Sequence, residues 1–71
     1  MKFKVGDKVR VKKNLIVNEI YNGFLFVSRM EKQKGEIVTI TKVYSDTNSY
    51  MIMEDLGRYV WTEEMLESVR Q

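Results

Sequence analysis

Apolar and charged side chains alternate from Lys2 to Lys12: Phe3, Val5, Val9 and Val11 fall on one side, and Lys2, Lys4, Lys8, Arg10 and Lys12 on the other. Period-two alternation puts one face of an extended chain in a core and the other in water, so a strand is expected over Lys8–Lys12, with Gly6-Asp7 bending the chain just before it. "EIVTITKVY", residues 36–44, is dense in β-branched residues and reads as the central strand. "SDTNS" turns the chain and "YMIME", residues 50–54, returns. Asp55-Leu56-Gly57 ends that strand, and "RYVWT", residues 58–62, begins a fourth. At Thr62 the pattern changes. A hydroxyl side chain followed by Glu63 and Glu64 predicts a helical turn, the threonine capping backbone N–H groups and the acids favoured by the local dipole. Met65 and Leu66 then fold back, and residues 67–69 form a short closing strand.

Residues 13–35 show no sustained period. They carry Asn14, Asn18, the turn signal Asn22-Gly23, an apolar cluster from Phe24 to Val27 and polar residues up to Gly35. The expectation is a long folded loop packed by its own Ile20, Tyr21, Phe26 and Met30, with one helical turn near Ser28–Lys32. Such an element order is that of an all-β fold, a small SH3-like barrel of about five strands with a long first loop and one helical (3-10) turn before the last strand.

Size and composition narrow the chemistry. With 71 residues there is room for a single domain, residues 1–71, and a chain this short buries a modest core. Cys and His are both missing, which removes disulfides, zinc sites and thiol nucleophiles together, so packing alone must hold the fold and neither a cofactor nor a metal is expected. The longest apolar runs, "LIV" and "FLFV", are far too short to span a bilayer, and the N-terminus lacks the apolar stretch of a secretory signal. The expectation is therefore a cytoplasmic protein with no membrane partner. Net charge is only +2, but residues 1–13 hold six basic side chains against Asp7 alone, whereas the remainder holds six against nine acids. A positive N-terminal strip on a mildly acidic molecule follows.

"FKVGDKVRVKKNL", "YNGFLFVSRM", "KGEIVTITKV" and "YVWTEEML" together resemble a family of small SH3-like proteins common in phages and prophages of low-GC Gram-positive bacteria, and the resemblance covers nearly the whole chain. "KGEIVTITKV" is also similar to a KOW-type motif, a glycine before a strand of alternating apolar residues, here Gly35, Val38 and Ile40. The resemblance implies a barrel fold, a phage or prophage setting and a bacterial host cytoplasm. It implies no chemistry, because most members of that family have no assigned activity.

The residues themselves point to binding. Without His or Cys, general bases and nucleophiles reduce to weaker candidates. The carboxylate pairs Glu54-Asp55 and Glu63-Glu64 read as solvated acids near turns. No enzyme activity, catalytic residue or small-molecule substrate is expected. Two surfaces compete. Lys8, Arg10, Lys12 and Lys13, joined by Lys42 and Tyr44, suit a phosphate backbone with a stacking face beside it, or simply keep an edge strand soluble. Tyr21, Tyr44 and Tyr59 suit a groove for an extended peptide. Trp61 is better placed as the plug of a small core than as part of such a groove. The favoured expectation is a protein-interaction module gripping a host or phage protein; nucleic-acid binding through the basic strand is the alternative, and a purely structural part of a phage assembly is a third reading.

Overall fold

The computed structural model describes residues 2–69. Strand β1 (Lys8–Val11) follows a tight turn at Gly6, whose φ of +92° no side-chain-bearing residue adopts easily. The long first loop holds β2 (Ile20–Tyr21), β3 (Phe24–Leu25) and a 3-10 segment η1 (Ser28–Gln33). Then come β4 (Ile37–Tyr44), β5 (Ser49–Ile52), β6 (Trp61–Thr62), a 3-10 turn η2 (Glu63–Met65) and β7 (Leu66–Ser68). Five strands form one antiparallel sheet in the order β6-β5-β4-β1-β7, and β2 and β3 form a separate ribbon. Among the described residues no ladder joins β6 to β7, so the sheet is open at both edges.

β4 is the pivot of the sheet. Ile37–Thr39 pair with β1 and Ile40–Tyr44 with β5, and the register shifts between Ile40 and Lys42. A bulge there bends the strand and lets its two halves face one core from different directions. Val38 and Ile40 lie in that core with Val9, Val11, Tyr50, Ile52, Trp61, Met65 and Leu66; the N-terminal segment adds Phe3, and the long loop adds Leu15, Phe26 and Met30. Trp61 is fully buried. Its ring meets Phe26 edge-on at 6.3 Å, and Phe26 meets Tyr21 edge-on at 6.4 Å, so the tryptophan plugs the core through a chain of aromatic contacts that reaches into the long loop.

Several expectations need correction. The long loop is not irregular throughout: Asn22 and Gly23 have φ of +50° and +87°, positive at both central residues as a type I′ turn requires, and they join β2 to β3 in a two-residue hairpin. Tyr21 pairs with Phe24 and both pack on the core, which leaves the adjacent pair Ile20 and Leu25 facing out. Ile20 is therefore 67% exposed and lies outside the core. The returning strand is Ser49–Ile52, earlier than residues 50–54, and the fourth strand is only Trp61–Thr62. Between them the chain turns through Leu56 and Gly57 at φ of +59° and +73°, a conformation no strand contains. Thr62 does not cap η2. It holds the N-cap position with the extended backbone usual there, but its buried side chain makes no capping hydrogen bond; the Glu63 N–H donates to the Asn48 carbonyl at 3.3 Å.

Candidate functional site

Three of the four carboxylates expected to be solvated acids accept structural hydrogen bonds. Asp55 is buried; its Oδ2 accepts the indole N–H of Trp61 at 2.8 Å and its Oδ1 accepts the Gly57 N–H at 2.9 Å. One side chain thus satisfies the polar end of the core tryptophan and fixes the turn that precedes it. Glu54 accepts the Thr39 N–H at 2.9 Å and the Thr39 hydroxyl at 3.2 Å. Glu63 Oε2 accepts the Tyr50 hydroxyl at 2.6 Å and the Lys2 N–H at 3.1 Å, while the Tyr50 oxygen accepts the Phe3 N–H at 3.2 Å. Burial, reinforced by the hydrogen bond to Glu63, pushes the Tyr50 phenol up to about 12. The same hydrogen bond, with help from the Lys2 N–H, holds the Glu63 carboxyl below its ordinary value. Of the four, Glu64 alone is an exposed acid with no such role.

Lys8 and Arg10 fall on the outer face of the sheet, in register with Thr39 and Ile37. Both head groups are engaged: Lys8 Nζ donates to Thr39 Oγ1 and Arg10 Nη1 to the Gly35 carbonyl, each at 3.0 Å. Glu67 stands directly across from Arg10 on β7 and interrupts the positive strip. Lys12 and Lys13 continue beyond β1, and with Arg10, Asn14 and Glu67 they line an open groove of about 570 Å³. Gly35 closes on the same region. Its N–H donates to the Val11 carbonyl at 2.8 Å, and the Lys13 stem runs over its α-carbon. Lys42 and Tyr44 share the outer face by register but lie past the bulge, where Lys42 Nζ sits 5.4 Å from the Tyr44 ring centre.

The three candidate tyrosines are not gathered into one stack. Tyr21 is half-buried against Phe26 and its hydroxyl oxygen accepts the Ile16 N–H at 2.8 Å. Tyr44 ends β4 beside Lys42. Tyr59 lines a different feature, a cleft of about 310 Å³ walled by Arg29 and Lys32 from η1 and by Glu54, Asp55, Leu56 and Arg58 from the loop between β5 and β6. Trp61, fully buried, lines no groove.

Two surface features are not among those expected from the sequence. The first is the outward pair Ile20 and Leu25, with Ile16 at the base of the hairpin; these are 67%, 46% and 60% exposed. The signal was present in "IYNGFL", because Asn-Gly between apolar pairs is a strong two-residue hairpin signal. The second is the Arg29–Arg58 cleft, whose walls lie far apart in sequence and carry no local signal. No family model, curated protein or solved structure matches this chain.

Proposed function

We propose that this chain is a non-enzymatic protein-binding module built on a small SH3-like barrel, and that the β2–β3 hairpin is its recognition element. One observation carries the reading: Ile20 and Leu25 form a cross-strand aliphatic pair on the solvent side of a hairpin whose other side is packed on the core. Tyr21 and Phe24 already anchor the ribbon, so the fold does not require aliphatic side chains on its outer face. Such a pair matches the apolar side chains of a protein partner and offers nothing to a phosphate. The resemblance to small SH3-like phage and prophage proteins supports a partner from the phage or its host, and the bulged β4 shared by two sheet halves supports the barrel.

The test is to isolate partners with the wild-type chain, identify them, and measure binding of the purified partner to wild type and to Ile20→Thr/Leu25→Thr. Threonine keeps strand preference, so the variant's thermal stability should stay within a few degrees of wild type. Loss of binding at retained stability is expected. Unchanged affinity, or a wild-type chain whose hairpin only joins two copies in sedimentation, overturns the reading.

The alternative, a nucleic-acid-binding barrel, draws support from the groove lined by Arg10, Lys12, Lys13 and Asn14. It predicts binding to short DNA or RNA that falls steeply with salt and is lost in Lys12→Gln/Lys13→Gln.

A further inference from the structure

Leu56 is out of place by two independent criteria. Among the described residues, four other than glycine have positive φ; three are asparagines, Asn18, Asn22 and Asn48, and the fourth is Leu56 at +59°. Asparagine tolerates this region because its short polar side chain bonds locally, whereas leucine gains nothing there. Leu56 is also 82% exposed, the most exposed large apolar side chain among the described residues. Neither backbone preference nor burial accounts for a leucine at this position, and strain of this kind concentrates where a chain meets a ligand.

The surroundings indicate which ligand. Leu56 stands at the cleft that Arg29, Lys32, Arg58 and Tyr59 also line. Three of the six basic residues beyond position 13 are thus brought together from two distant segments. Within the described residues the one ion pair is Lys34–Glu31, so none of these three cations is paired, although Glu54 and Asp55 share the cleft. Those two carboxylates are turned to Thr39 and to Trp61 and Gly57. The loop is also held in advance of any ligand: the Leu56 N–H donates to the Met53 carbonyl and the Arg58 N–H to the Asp55 carbonyl.

We infer that this cleft binds an acidic peptide segment of a partner protein, with carboxylates on Arg29, Lys32 and Arg58 and an aliphatic side chain against Leu56 and Tyr59. Charge complementarity selects the segment, and an apolar contact made by a preformed loop fixes its position. The surface is separate from the Ile20–Leu25 hairpin, and each can fail without the other.

The test is an amide NMR titration of the full chain with a capped pentapeptide, one leucine flanked by two glutamates on each side. A glutamine-for-glutamate peptide and a short oligothymidylate serve as comparisons. Shifts are expected at Arg29, Lys32, Leu56, Gly57 and Tyr59, with the glutamine peptide weaker by about tenfold. Leu56→Gly relieves the backbone and removes the side chain, so it should melt no lower than wild type yet bind the acidic peptide about tenfold more weakly. Ile20→Thr/Leu25→Thr should bind this peptide as wild type does. Shifts confined to Lys8–Lys13, no shifts at millimolar peptide, or wild-type affinity in Leu56→Gly overturns the proposal. Tighter binding of oligothymidylate in the same cleft overturns the peptide as its occupant.

Discussion

Replacing Asp55 by alanine tests how the core is closed. Two donors converge on this carboxylate, the Trp61 indole N–H at 2.8 Å and the Gly57 N–H at 2.9 Å, and both Asp55 and Trp61 are buried. Alanine leaves both donors without their acceptor. A buried donor stranded in this way costs about 1–3 kcal/mol, so the pair should cost about 2–5 kcal/mol, reduced to the extent that water reaches Gly57. A domain of this size has about 4–10 kcal/mol of stability in total, so the variant should lose about half of it. Asp55→Asn should fall between, at about 1–3 kcal/mol, because an amide offers one acceptor oxygen and must present its NH₂ to one of the two donors. The assay is built into the chain: Trp61 is the only tryptophan, and its emission reports the environment of the side chain that Asp55 holds. Urea titrations followed by that emission should give midpoints in the order wild type, Asp55→Asn, Asp55→Ala, with similar slopes. An Asp55→Ala midpoint equal to wild type, with native emission unchanged, refutes the role assigned to this carboxylate.

Gly35→Ala should cost about 1–2 kcal/mol, since Gly35 has φ of +76° and an added Cβ would meet the Lys13 stem at 3.2 Å; an unchanged melting temperature contradicts this. Thr62→Val should raise stability by about 1 kcal/mol, because the buried Thr62 hydroxyl has no partner among the described residues; a loss measured by urea titration would mean the hydroxyl is satisfied in solution. Tyr50→Phe should cost about 1.5–3 kcal/mol near neutral pH by removing a hydrogen bond to a charged group. The Glu63 carboxyl is held below its ordinary 4.5, so its contribution is full above that value and is lost as pH falls through the folded one; the Tyr50 phenol is raised from 10.0 to about 12, so its contribution is full below 10 and is lost as pH rises toward 12. Stabilities of wild type and Tyr50→Phe measured across pH should therefore converge at both ends, and a constant gap argues against the pair.

What was legible in the sequence is what repeats along it. Alternation in Lys8–Val11 and β-branched density in Ile37–Tyr44 gave the two strands at the centre of the sheet, because a half-buried strand imposes its period on every second residue. The size of Trp61 gave its burial for a related reason: few other side chains could fill so small a core. The roles of Glu54, Asp55 and Glu63 are not legible because they are set by partners that sequence distance hides. Asp55 reaches Trp61 across a loop, and Glu63 reaches Tyr50 from the far side of a hairpin. The hairpin at Asn22-Gly23 was missed for the opposite reason, since two-residue strands are too short to show a period and only the turn announces them.

Both candidate surfaces follow from that division. Strands with a clear period bury one face and charge the other, and on this sheet even the charged face is partly engaged, Lys8 by Thr39 and Arg10 by Gly35. Among the apolar side chains that the fold leaves exposed, Ile20 and Leu25 flank the Asn22-Gly23 turn and Leu56 adjoins Gly57, with three cations nearby that no ion pair among the described residues engages. A turn held by backbone and side-chain hydrogen bonds needs no apolar side chain for its own stability, and exposing one offers folding nothing in return. The fold alone does not explain why Ile20, Leu25 and Leu56 are apolar, and they are where substitution should separate binding from folding.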